Sequence, residues 1–154
     1  MVIWLILSIL SGVFYRLGGM GVENKLIWLP KFLFNTKTRD FGCPIIFLLT
    51  FYLFTHKFNL LIYLITFILM FGALTTYWDK LPINKGQDNF FHHGTGIGLS
   101  TLPLIFLGIS IWNIMFYTII LSILMGLWSY FIDNVNFEEI GRGLLIVLLS
   151  KLIC

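Results

Sequence analysis

Apolar residues in this chain come in long, nearly unbroken runs, not in the three-to-four-residue rhythm of a helix that buries one stripe. A helix crossing the hydrocarbon of a bilayer needs about 20 residues at a rise of about 1.5 Å each. Residues 1–15 are apolar up to Arg16, residues 41–55 run as far as His56 and Lys57, and residues 58–78 end at Asp79. Residues 94–110 and 111–132 follow, divided by little more than Asn113, and residues 143–154 form a short last run. The pattern predicts an all-α integral membrane helical bundle, with five full transmembrane helices plus a short sixth in a single transmembrane domain over residues 1–154. The sixth crosses only if neighbouring helices or the preceding turn at 136–142 extend it.

Two segments need separate treatment. Residues 41–78 read as one bent helix would hold His56 and Lys57 at mid-membrane, where a lysine costs roughly 2.5–3.5 kcal/mol. Two helices turning at 56–59 avoid that cost and are expected. Residues 22–34, VENKLIWLPKFLF, are broken by Lys25, Pro30 and Lys31 and are too short to span. They read as a segment lying in the interface plane. Trp28, Trp78 and Trp112 near run ends fit an aromatic belt.

Composition turns this pattern into an exclusion. Of 154 residues, 58% are hydrophobic and 11% charged, against about 45–50% and about 25% in an average soluble domain. So small a chain cannot hide that much apolar surface from water. A soluble enzyme, a secreted disulfide scaffold and a nucleic-acid reader working through a basic stripe are all excluded, and the expected partner is the lipid bilayer. Cys43 and Cys154 lie far apart without CxxC spacing and read as two buried, reduced thiols. The start, MVIWLILSILSG, has no basic region ahead of its apolar run and reads as an uncleaved first span.

Charge then orients the bundle. With six crossings, the segments 16–40, 79–93 and 133–142 share one side and carry Arg16, Lys25, Lys31, Lys37, Arg39, Lys80, Lys85 and Arg142. Only Lys57 and Lys151 fall on the other side. Lysine and arginine mark the cytoplasm, so those three segments are expected inside and both termini outside. Glu23, Asp40, Asp79, Asp88, Asp133, Glu138 and Glu139 all lie on the same inner side, with His92 and His93. Any site is therefore expected to face the cytoplasm.

Four inner clusters carry candidate chemistry. In SGVFYRLGGMG (11–21), Arg16 suits the negative end of a helix dipole, and glycines beyond it end helices; the same residues would bind a phosphate or carboxylate. In FNTKTRDFG (34–42), Lys37 and Arg39 attract anionic lipid and Asp40 caps a helix; alternatively Arg39 pairs with an acid. Arg16 and Arg39 are the candidate anion-binding pair. Asp88 and His92 are four residues apart and His93 is adjacent, a carboxylate–imidazole set suited to a divalent metal. Helix capping by Asp88 or Asn89, and close helix approach at Gly94, Gly96 and Gly98, account for this stretch without metal, so the cofactor is left open. In DNVNFEEIGRG (133–143), Asn136 and Glu139 fit a capping box, and Glu138 with Arg142 fits an i,i+4 ion pair. Asp133, an acid at a helix C-terminus, lacks a local explanation; with Asp88 and His92 it makes the candidate catalytic set.

The combination YRLGG (15–19), FNTKTRDFG (34–42), FGALTTYW (71–78) and EEIGRG (138–143) resembles a group of small multi-pass membrane proteins encoded by phages, prophages and mobile elements. The resemblance implies a bacterial cytoplasmic (inner) membrane setting and assigns no catalytic roles. Three functions are compatible with the sequence. The first is a non-enzymatic membrane protein acting through helix packing and a polar cytoplasmic face, in host-envelope modification, exclusion or lysis. Its partners would be a second copy of the chain or a host membrane protein. The second is an inner-leaflet enzyme acting on a lipid headgroup or phosphate ester. The third is a small transporter or channel subunit, hinted at only by Pro103 and Gly108 in the fourth run.

Overall fold

Four of the long apolar runs fold as regular helices in a computed structural model of the chain, which describes residues 2–22, 36–75, 87, 89–132 and 134–154, with backbone alone at 19–22, 36–39 and 92. Helix α1 covers Val2–Val22, α2 Thr36–Thr55 and α3 Leu60–Thr75. A π-helical segment, Asn89–Gly96, passes directly into the single turn α4 (Ile97–Leu99), then into a 3-10 helix, Leu102–Leu107. Helix α5 covers Ile111–Phe131, α6 Val135–Leu148, and a 3-10 turn, Leu149–Leu152, closes the chain. The regular elements among the described residues are all helical, without a strand.

Residues 41–78 fold as two helices as far as Thr75. The break follows from His56, whose φ of 52° lies in the left-handed region, while its amide still bonds the Tyr52 carbonyl at 2.8 Å. The interface segment at 22–34 lies outside the described residues apart from Val22, the last residue of α1.

Two expectations are corrected. The fourth run is not a full α-helix but a π, α and 3-10 succession. Glycines at 94, 96 and 98 lower helix propensity there, Pro103 supplies no amide to the ladder, and Gly108 (φ 79°) ends the segment in the left-handed region. The last helix starts at Val135 and so includes residues 136–142, but its cap is Asn134, not Asn136: Asn134 accepts from the amides of Asn136 and Phe137. Asn136 is therefore inside α6, and the expected box with Glu139 does not form.

Among the described residues one helix, Ile111–Phe131, is long and apolar enough to cross a membrane by itself; Val2–Gly18, Asp40–Thr55 and Leu60–Thr75 are apolar but shorter. The helices pack with α1 between α2 and α6, α3 on α2, and α5 against the π segment and α4. Phe47, Phe51, Met70, Leu104, Ile114, Tyr117, Leu121 and Ile146 fill the interior. The outer surface is apolar too, with Ile6, Ile9, Ile45, Leu64, Ile68, Phe116 and Ile119 among many exposed large side chains.

A close helix approach at the seam between α1 and α6 positions polar residues. A Cβ on Gly143 would stand 2.5 Å from the Ser11 carbonyl oxygen and 2.6 Å from the Tyr15 Cβ. On the opposite helix, Gly12 faces the Ile140 carbonyl in the same way. Backbones meet there because neither position carries a side chain.

Candidate polar cluster at one end of the bundle

Where α1 nears its C-terminal end and α6 begins, ionisable side chains are buried. Arg16 is 7% exposed and donates from Nη1 to Glu139 Oε2 at 2.7 Å, the length of a charge-assisted bond. Glu138, 2% exposed, is paired with Arg142 one turn along the same helix. That second pair matches the sequence spacing. The first was missed, because Glu139 was assigned to a cap and sequence spacing says nothing about a residue 123 positions away.

Tyr15, next to Arg16, is fully buried, and its hydroxyl shares a hydrogen bond with His93 Nδ1 at 3.1 Å. The two rings meet edge to face with centroids 6.0 Å apart. His93 reaches α1 because it stands in the π segment, whose wider turn re-aims the side chains that follow it. Thr95 shows the widened register: its hydroxyl donates to the Phe90 carbonyl, five residues back, at 3.1 Å and bonds Ser122 Oγ of α5 at 3.0 Å. Gly94 completes the fit, since a Cβ there would run into the Ser122 backbone. Asp40 near the start of α2 and Asn89 at the start of the π segment are also buried. Both sit where their elements enter this end of the bundle.

The charges of the two ion pairs cancel. Arg16 and Arg142 contribute two positive charges, and Glu138 and Glu139 two negative ones. A buried guanidinium without its carboxylate would cost several kcal/mol, so each pair makes the burial of the other group tolerable. Arg16, expected to hold an anion, is thus engaged by an anion from its own chain.

Of the other predicted site residues, His93 is in the cluster and Arg39 and His92 are described only in their backbone. Asp88 and Asp133 lie outside the described residues. Among the described residues no three His, Cys, Asp or Glu side chains come together as a metal site would require. Tyr15 was missed by sequence reasoning, although its place beside Arg16 and ahead of a glycine pair was a usable signal.

Two open apolar grooves mark the sides. One of about 510 Å³ runs between the π segment and α5, lined by Phe90, Phe91, Ile123 and Leu127 with Gln87 and Tyr130 among its walls. Another of about 410 Å³ lies beside the α2–α3 turn, lined by Leu48, Leu49, Tyr52, Phe58 and Tyr63. Compared with known protein families, curated proteins and solved structures, the chain finds no match.

Proposed function

We propose that the chain is a multi-pass protein of a bacterial cytoplasmic membrane, of the phage and mobile-element type its motifs resemble. It acts without chemistry, through helix packing and a polar cytoplasmic face, on the host envelope. The observation that carries this reading is a division of the molecule. Buried charges gather at one end and are paired within the chain, while the flanks expose apolar side chains on α1, α2, α3 and α5. A water-soluble monomer rarely leaves so continuous an apolar surface uncovered.

The dimensions support membrane placement. Exposed Trp112 and Tyr130 stand at the two ends of α5, about 27 Å apart along the axis, close to the roughly 30 Å of a hydrocarbon core. Exposed Phe58 and Phe106 stand near the end of Trp112, and Phe131 and Phe137 near that of Tyr130. Trp and Tyr, apolar in the ring and polar at one edge, are the side chains that the two interfaces select. On this reading the helices shorter than a full span cross as members of a bundle, with five crossings and the C-terminal helix as a sixth. The sidedness of lysine and arginine puts the charged end in the cytoplasm and both termini outside.

A second reading has one specific observation in its favour. The π segment holds an imidazole against a buried phenol, and irregular helical turns concentrate at working sites. It makes the protein an inner-leaflet enzyme acting on a lipid headgroup or phosphate ester. A channel or transporter has least support, because the buried charges collect at an end and not midway.

Expression in a bacterial host, scored for lysis, phage adsorption and plating efficiency, separates the two. The packing reading expects the parent to alter one readout, and Arg16→Gln or Gly143→Val to abolish it. It also expects His93→Gln, Asp88→Asn, His92→Ala and Asp133→Asn to retain it. Loss with those four variants, while they still insert, overturns the packing reading in favour of the enzyme.

A further inference from the structure

The end of the molecule opposite the charged cluster carries its own combination of features. Residues 41–78 contain no Asp or Glu, and neither do residues 97–132. Lys57 therefore stands at the α2–α3 turn without an acid near it in sequence, is exposed, and makes no ion pair among the described residues. Its ammonium lies over Gly108, 3.6 Å from where a Cβ would be, so the missing side chain leaves that space open. Below the turn runs the 410 Å³ groove. Phe58, the residue after Lys57, forms part of its wall, and the Tyr63 hydroxyl donates to the Lys57 carbonyl at 2.8 Å. The groove is thus tied to the backbone that carries the free cation.

From the geometry we infer that this groove and Lys57 together form a binding site for an anionic phospholipid, the phosphate on the ammonium and one acyl chain along Leu48, Leu49, Tyr52 and Phe58. The inference rests on the multi-pass reading. Charge selects the occupant: a lone uncompensated lysine attracts a phosphate. Length agrees with it. From Leu48 to the turn at His56 is about 12 Å along α2, within the roughly 15 Å that one leaflet contributes to the hydrocarbon. An unbranched chain fits a groove walled by the aliphatic side chains of Leu48 and Leu49 and the rings of Tyr52, Phe58 and Tyr63. The stem of lysine is flexible enough to swing the ammonium from Gly108 to a phosphate at the groove mouth.

Native mass spectrometry of the detergent-solubilised full chain, titrated with dioleoylphosphatidylglycerol or dioleoylphosphatidylcholine, tests the site. One saturable phosphatidylglycerol with clear preference over phosphatidylcholine is expected. Lys57→Gln should weaken that binding about fivefold. Leu49→Trp, which keeps the lysine and fills the groove, should weaken it at least as much. Lys151→Gln, at the same end but over the Trp4 ring, should leave it unchanged. Equal binding of the two lipids, indifference to Lys57→Gln, or displacement by inorganic phosphate alone would overturn the inference. Liposome flotation of the same preparations keeps the two claims apart. A parent that fails to insert overturns the multi-pass reading, and one that inserts but shows no lipid preference overturns the lipid site alone.

Discussion

The seam between α1 and α6 and the irregular segment Asn89–Leu107 solve one problem in opposite ways. Both bring backbones close together through glycine, Gly12 and Gly143 in the seam, Gly94 and Gly98 against α5 in the irregular segment. The seam keeps two regular α-helices and secures them with an ion pair. The irregular segment gives up regular helix and passes through π, α and 3-10 turns, secured by Thr95 on Ser122 and His93 on Tyr15. Glycine alone therefore does not decide helix geometry. Where a glycine is followed by good helix formers, as in GRGLLIVL, the helix runs on. In HHGTGIGLSTLP, three glycines and a proline within a few turns leave too little propensity to hold it.

The comparison breaks most sharply at Gly143. Valine there meets the Ser11 carbonyl and Tyr15, neither of which can retreat without moving α1, and parting the helices also separates Arg16 from Glu139. Thermal unfolding in detergent should register a loss of about 3–4 kcal/mol. Glu139→Gln should cost slightly less, about 3 kcal/mol, because it removes the charge of one member of a buried ion pair. A double variant, Arg16→Met with Glu139→Leu, should recover most of that loss, and no recovery would show that the pair does more than neutralise itself. In the irregular segment, Gly94→Ala should cost about 2 kcal/mol through its clash with Ser122. Hydrogen exchange should show the loosening confined to the π segment and the facing part of α5. Global destabilisation would mean the irregular segment is as integral to the fold as the seam.

How much of this was readable beforehand divides along the same line. The apolar runs, the turn at 56–59 and the Glu138–Arg142 pair are local patterns, and local patterns are what a sequence displays. The gathering of Arg16, His93, Glu138 and Glu139 at one end was readable in outline from their positions beside the run ends. Which side chain meets which was not. Arg16 finds Glu139, and Tyr15 finds His93 78 residues away, only because the Gly12–Gly143 contact and the π turn fix the distances between helices. The π turn itself has no periodicity signature, since one extra residue in a turn looks the same in sequence as a regular helix. The cap at Asn134 instead of Asn136 turns on which of two similar residues takes the extended backbone.

The smallest expected effect discriminates best. Tyr15→Phe keeps the ring, which is fully buried and forms the surface Gly143 packs on, and removes only the hydroxyl that meets His93 Nδ1. The lost hydrogen bond should cost about 1 kcal/mol in detergent, small beside the seam variants. If the protein works by packing, a variant that loses so little stability should keep its effect in a host, whereas Gly143→Val loses it. If the imidazole of His93 is used in chemistry, its phenol partner sets the ring's orientation, and Tyr15→Phe should lose far more activity than a 1 kcal/mol change in folding explains. Activity that tracks stability across Gly143→Val, Glu139→Gln and Tyr15→Phe identifies the seam as the working part. Activity lost only with Tyr15→Phe, while it survives Glu139→Gln, moves the working part to the irregular segment that carries His93.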